Sequence, residues 1–187
     1  TAYEIYQCDW SSDVCSSDLL VEEASTLARN LKHQYVLTEH LLLAMVKHQP
    51  FGKLLSDYGV DIGLLENEIT AYLVNQTSIV VKDPTEDYRP QRTNALERLF
   101  NRANVQVMFT GRRTLNIIDL FLSIMAETNS HAHYFLLRHG VKKAEFVDFF
   151  GKNYQQVETK MSANQATELL AEYCTNLTEM AAKAQLD

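Results

Sequence analysis

Cysteine is nearly absent from this 187-residue chain: there are three, and two of them, Cys8 and Cys15, lie in the first 19 residues. Cys174 alone cannot build a disulfide framework, and one thiol is what a protein of a reducing cytoplasm leads one to expect. Glycine is also scarce. Gly52, Gly59, Gly63, Gly111, Gly140 and Gly151 include no pair five positions apart followed by Lys and a hydroxyl residue, so there is no phosphate-binding G-x-x-x-x-G-K-[ST] loop. No ATP or other cofactor is therefore expected here. No apolar run approaches the ~18–20 residues that cross a bilayer, so no membrane contact is expected. Positive charge is not in excess either, with 17 Lys and Arg against 24 Asp and Glu, which gives no electrostatic footprint for nucleic acid.

The stretch "DWSSDVCSSDL", Asp9 to Leu19, is unlike the rest. It holds the only Trp and two Ser doublets, and it lacks helical or strand periodicity. Residues 1–19 resemble translated sequencing-adapter DNA fused to a gene fragment, and they are set aside from fold reasoning. Four of the 24 acidic residues and none of the 17 basic ones fall there, so the remainder carries a net charge of −3 rather than −7.

What remains reads as helix. Val21, Ala24, Leu27, Ala28 and Leu31 give a first stripe over Leu20–Lys32. Thr38 reads as the N-cap of "EHLLLAMVKH", with Glu39 against the positive end of the helix dipole. Pro50 breaks that helix. "FGKLLSDYGVD" is a short helix closed by Gly59 in the left-handed conformation, and Asp61 caps the next, "IGLLENEITAYLVNQ". Residues 77–92 read as a connecting loop. "TNALERLFNRANVQV" follows, with Leu96, Leu99, Phe100 and Ala103 on one side. Then come "LNIIDLFLSIMAE", "HAHYFLLRHGV" closed at Gly140, and "KKAEFVDFF".

The second half repeats the first. Leu41 lies over Leu120 at an offset of 79, and Gly59 over Gly140 at an offset of 81. Two copies are too few for a solenoid. The fold class expected is all-α: a pseudo-twofold bundle of about eight helices, two repeats of four, with a C-terminal linker and an isolated helix. Leu42, Leu43, Phe121 and Leu122 are the expected centre of the core. The domain boundaries follow: residues 20–151 for the double repeat, a polar linker over 152–165, and a further helical piece over 166–187.

Candidate chemistry is thin. His131 and His133 stand two apart, and such residues do not share a helix face. His33, His40 and His48 lack Cys or acidic partners at ligand spacing. Cys174 has no companion His–Asn set in evident reach. No metal site and no catalytic set is expected.

The repeated pattern, and above all "TEHLLLAM", resembles the amino-terminal double-repeat domain of the Clp ATPases. "GVD", "ALERLFNRA" and "YFLLRHGV" make the ClpA type the nearest likeness. "TNLTEMAAKAQLD" is similar to the segment that enters the first AAA+ ATPase module in that family, so both ends of this chain are expected to be breaks in a gene. The resemblance implies a non-catalytic substrate- and adaptor-docking domain above a hexameric unfoldase in the cytoplasm. The missing modules would use ATP and Mg²⁺ and pass proteins to a ClpP-type peptidase. It also implies a ClpS-like adaptor that delivers N-degron substrates, bound at Gln34, Glu39 and Thr93. Family members often carry an acid where Gln34 stands. A stand-alone helical adaptor or partner-binding protein is the alternative, and a small helical enzyme is the third reading.

Overall fold

The computed structural model describes residues 17–84, 88–111 and 115–155. Repeat one consists of α1 (Ser17–Asn30), α2 (Thr38–Lys47), α3 (Gln49–Tyr58) and α4 (Ile62–Val74); repeat two of α5 (Asn94–Phe109), α6 (Ile117–Ala126), α7 (His131–Arg138) and α8 (Lys143–Phe150). The all-α reading and the two-repeat order hold. Two compact units divide the chain between Phe146 and Val147. The described part of the second continues α8 into a π-helical turn, Gly151–Gln155, where Asn153 Nδ2 donates to Phe149 O at 2.8 Å. The expected linker begins within that turn, and its remainder, Cys174 and the piece over 166–187 lie outside the described residues.

The two repeats close their third helices in the same way. Gly59 takes φ 108°, and Val60 N donates back to Leu55 O at 3.0 Å. Gly140 takes φ 77°, and Val141 N donates to Leu136 O at 2.9 Å. Each glycine supplies a left-handed residue just past a helix, and the valine after it turns back into the core, buried at both sites. A Cβ at Gly59 meets nothing within 4 Å, so only its backbone conformation opposes a side chain there. Gly59→Ala is expected to lose about 1 kcal/mol of folding stability, the cost of holding a non-glycine residue in that region. A urea midpoint equal to the parent's would contradict this.

The central helices are buried as the apolar runs require. Leu41, Leu42, Leu43, Leu120 and Phe121 are all 0–2% exposed. Aromatic rings run through both repeats: Phe51 of α3 meets Phe121 of α6 edge-on at 5.0 Å, and Phe121 meets Phe146 of α8 at 4.8 Å. Tyr58 closes the row against Phe146 at 5.6 Å. Leu122, expected in the centre, is only half-buried, because it sits one position round the helix from Phe121 and Ser123. Phe100 is likewise half-buried, while Val107 extends the stripe of α5 inward.

Three local expectations change. The first helix starts at Ser17, so residues 17–19 of the segment assigned to adapter form its first turn. Asp18 suits the positive helix end and Leu20 is buried at 3%. Thr38 is not the cap of α2 but its first residue. Leu37 stands at the cap, and its N–H goes to His40 Nδ1 at 3.0 Å. The stretch 77–92 is more than a loop. It holds a short 3-10 turn, Thr77–Ile79, an antiparallel bridge from Val80 to His33, and the strand β2 (Gln91–Arg92). β2 pairs in parallel with β1 (Tyr35–Val36), Tyr35 opposite Gln91 and Val36 opposite Arg92. Asp61 caps α4 as expected, its Oδ1 accepting from Leu64 N at 3.0 Å.

Candidate functional site

The chain leaves α1 through Lys32, whose φ of 57° turns it toward α2. His33 N donates to Ala28 O at 2.8 Å and Val81 N to Lys32 O at 2.8 Å, so the exit is tied to both α1 and the stretch after α4. Tyr88 Oη donates to His33 O. Gln34 N donates to Ile79 O at 2.7 Å, and Gln34 O accepts from Gln91 N at 2.9 Å. The Gln34 backbone is thereby held between two segments, while the residue as a whole is exposed.

Thr93 ends the same strand pair. Its N–H and its hydroxyl both donate to Val36 O, at 3.3 and 3.1 Å, and its Oγ1 accepts from Leu96 N at 3.3 Å. It therefore caps α5 and ties β2 to β1 with one side chain. Gln34 and Thr93 thus come together at the β1–β2 pair, although they are far apart in sequence.

Glu39 does not join them at the surface. It is 5% exposed, and its Oε1 accepts from Ala132 N at 3.1 Å, in the first turn of α7. A carboxylate from α2 satisfies an otherwise free donor of a helix in the other repeat and meets the positive end of its dipole. The expected surface contact is corrected accordingly: Glu39 fastens the two repeats together. Its charge also reaches Tyr72, whose phenol is raised above the usual tyrosine range, first by burial and then by the nearby carboxylate.

A buried pair of histidines lies under Gln34. His33 Nδ1 and His40 Nε2 are 3.0 Å apart, and the residues are 1% and 0% exposed. The hydrogen bonds fix the protons. Leu37 N–H occupies the lone pair of His40 Nδ1, so neutral His40 carries its proton on Nε2 and donates it to His33 Nδ1. A second proton on His40 would point a donor at the Leu37 donor. Burial, with His33 adding to it, lowers the His40 pKa from 6.5 to about 4, and burial lowers His33 as well.

His131 stacks on Tyr72 with ring centres 4.5 Å apart, and its Nδ1 lies 2.9 Å from Tyr72 Oη. His139 Nε2 meets Glu68 Oε2 at 3.2 Å, and Arg138 meets Glu68 Oε1 at 3.4 Å. These contacts hold α7 against α4. Sequence reasoning missed the His33–His40 pair and the inward aim of Glu39. Both depend on how the chain folds back between elements, which no single-element period encodes. Among the described residues there is no group of three or more His, Cys, Asp or Glu that could hold a metal ion. No helix among them is long and apolar enough to cross a membrane.

Residues 16–139 match the family model described as "Clp repeat (R) N-terminal domain". A ClpA homolog protein of Fuscovulum blasticum is 26% identical over 185 residues, covering 89% of this chain and 23% of that protein. The chain thus spans about a quarter of the length of this curated relative. Among solved structures, the Hsp104 N-terminal domain from Candida albicans superposes with a TM-score of 0.61 at 14% identity, over 74% of this chain and 91% of that one. The N-terminal domain of the ClpV1 ATPase from E. coli gives 0.56 at 17% identity, over 79% and 86%. At these identities the likeness is one of fold.

Proposed function

Because this chain belongs to the Clp repeat N-terminal domain family, we propose that it is the substrate- and adaptor-docking domain of an ATP-dependent Clp unfoldase. The observation that carries the reading is the family match across residues 16–139, which includes every helix of repeat one and α5 to α7 of repeat two. In this reading the domain performs no chemistry. ATP and Mg²⁺ act in ATPase modules elsewhere in the whole protein, which forms a hexamer and hands unfolded chains to a ClpP-type peptidase in the cytoplasm. The partners of the domain itself are protein substrates and a ClpS-like adaptor carrying N-degron proteins.

The docking face centres on the β1–β2 pair, with Gln34 and Thr93 presented to the adaptor. Glu39 acts one layer down, where it keeps α7 against α2 and so keeps the face in shape. The support is geometric: Gln34 is exposed on a backbone held at both its N–H and its carbonyl, and Thr93 is locked by three hydrogen bonds. Such a surface loses little freedom on binding. Gln34→Glu restores the acid that relatives carry. It is expected to tighten binding of a basic, ClpS-type adaptor by about twofold to fivefold, the scale of one exposed ion pair, and the gain is expected to shrink as salt is added. Calorimetric titration at two salt concentrations measures this. An affinity identical to the parent's at low salt would remove Gln34 from the interface.

A further inference from the structure

The two repeats cap their central helices with one device and two chemistries. In repeat two, Asp119 Oδ2 accepts from Asn116 N at 3.1 Å. At the matching place in repeat one, just before Leu41 as Asp119 stands just before Leu120, His40 Nδ1 accepts from Leu37 N at 3.0 Å. A carboxylate therefore serves this cap as well as an imidazole does. What the imidazole adds is a second nitrogen, which lies 3.0 Å from His33 Nδ1.

That contact has a fixed proton count. Each neutral ring carries one N–H, and the proton on His40 Nε2 fills the lone pair of His33 Nδ1. A further proton on His33 Nδ1 would face the His40 N–H, and one on His40 Nδ1 would face the Leu37 N–H. Among the described residues no carboxylate is hydrogen-bonded to either ring. The acids of the neighbouring elements are engaged elsewhere: Glu39 of α2 on Ala132 N, Glu68 of α4 on Arg138 and His139, Asp119 of α6 on Asn116 N. His131 of α7 lies on Tyr72 Oη of α4. Arg29 and Lys32 at the end of α1, Lys53 and Asp57 of α3, Lys82 and Asp83 after α4, and Arg92 of β2 are exposed.

The two rings are not equally well held. His40 sits in α2, where every residue from Thr38 to Val46 is buried. His33 sits on the short segment that joins α1 to β1, entered through Lys32 at φ 57°, the one non-glycine residue at positive φ among the described residues. Of residues 32–36 only His33 and Val36 are buried. Past α1, this segment is held by the bonds that build the docking face: Gln34 N to Ile79 O, Gln91 N to Gln34 O and Tyr88 Oη to His33 O.

We propose that the His33–His40 pair is an acid-sensitive latch on the docking face: a third proton at the pair expels His33 into water, and the β1–β2 pair opens while α2 and repeat two stay folded. An expelled His33 titrates as a free imidazole, so proton uptake favours the open form. Its exit pulls on Gln34 from one side and on the 77–92 stretch from the other. A unit with so little buried apolar surface opens at lower cost than the whole domain. The regulatory meaning rests on the docking reading; the opening itself does not.

The test is native-state hydrogen exchange of the whole chain in low urea at pH 7 and pH 5, read at the Gln34, Val81 and Gln91 amides and at Ile124 in the core of α6. Corrected for intrinsic rates, protection of the first three is expected to fall about tenfold to twentyfold between the two pH values, the gain from one imidazole that titrates near 6.5 when open and stays neutral when closed. Their exchange is expected to be insensitive to urea, whereas that of Ile124 quickens with it, because local opening exposes little surface. H33Q is expected to lose most of the pH effect, since glutamine can accept from His40 Nε2 without titrating. Strand amides that keep full protection at pH 5, that exchange only in step with Ile124 as urea is added, or that lose protection equally in H33Q would overturn the proposal. Calorimetric titration of a ClpS-type adaptor on the same proteins separates the two readings. Affinity is expected to fall more steeply in acid for the parent than for H33Q, and acid opening without that difference refutes docking on this face and leaves the latch standing.

Discussion

Phe121→Ala is expected to lose about 3–5 kcal/mol of folding stability, the range for removing a buried aromatic ring. The side chain is fully buried, and its ring makes edge-on contacts with Phe51 at 5.0 Å and Phe146 at 4.8 Å. Those partners belong to α3 and α8, so a cavity here would lie between the repeats rather than within one. Neither neighbour can collapse into it without moving its helix, since Phe51 and Phe146 are themselves 0% exposed. Phe121→Leu keeps much of the volume and is expected to lose less, though the edge-on contacts go with the ring. Phe100→Ala is the control, because that ring is half-buried and lies on the outside of α5 beside Arg92. Urea unfolding of the three variants decides the matter. A Phe121→Ala cost below about 1 kcal/mol, or one no larger than that of Phe100→Ala, would mean that the row of rings does not join the repeats.

The features legible in the sequence are those that one element encodes by itself. Leu41 and Leu120 fall on the buried side of matching helices because each sits within an apolar run whose period the helix fixes. Gly59 and Gly140 end helices for a reason internal to the chain: only glycine enters the left-handed region without cost. Asp61 and Thr93 cap because a short acceptor stands where free N–H groups begin. Thr38 looks equally good by that rule, but Leu37 stands at the cap with its N–H on His40 Nδ1, and the helix starts one residue earlier, at Thr38 itself. The β1–β2 pair was illegible for a different reason. Each strand has two residues, too few for any period, and their partners lie more than fifty positions apart. The candidate site inherits this limit. The family likeness named Gln34, Glu39 and Thr93, but only the folded chain separates the two that meet at the β1–β2 pair from the one that points inward to Ala132.

Acid is expected to unfold this domain earlier than its carboxylates alone would require. The unfolded chain binds a proton at His40 near pH 6.5, whereas the folded domain withholds it until about pH 4. Between those values the unfolded state carries more protons, so stability rises with pH across the window and falls as pH drops through it. The contribution is complete above pH 6.5 and gone below about pH 4, and a separation of that size is worth about 3 kcal/mol. His33 is lowered in the same direction by burial and adds to the effect. The cause is structural: α2 and the exit from α1 meet at a pair of nitrogens that can share one hydrogen and have no room for two. The test compares urea unfolding of the parent and His40→Gln between pH 7 and pH 5, above the range in which most carboxylates titrate. The parent is expected to lose about 2 kcal/mol over that interval and the variant much less, because glutamine can accept from Leu37 N–H without titrating. Direct proton titration of the imidazole resonances gives a second reading that does not depend on how well the variant folds. A His40 resonance still neutral at pH 5 is required, and a His40 signal that protonates near pH 6.5 in the folded domain would refute the account.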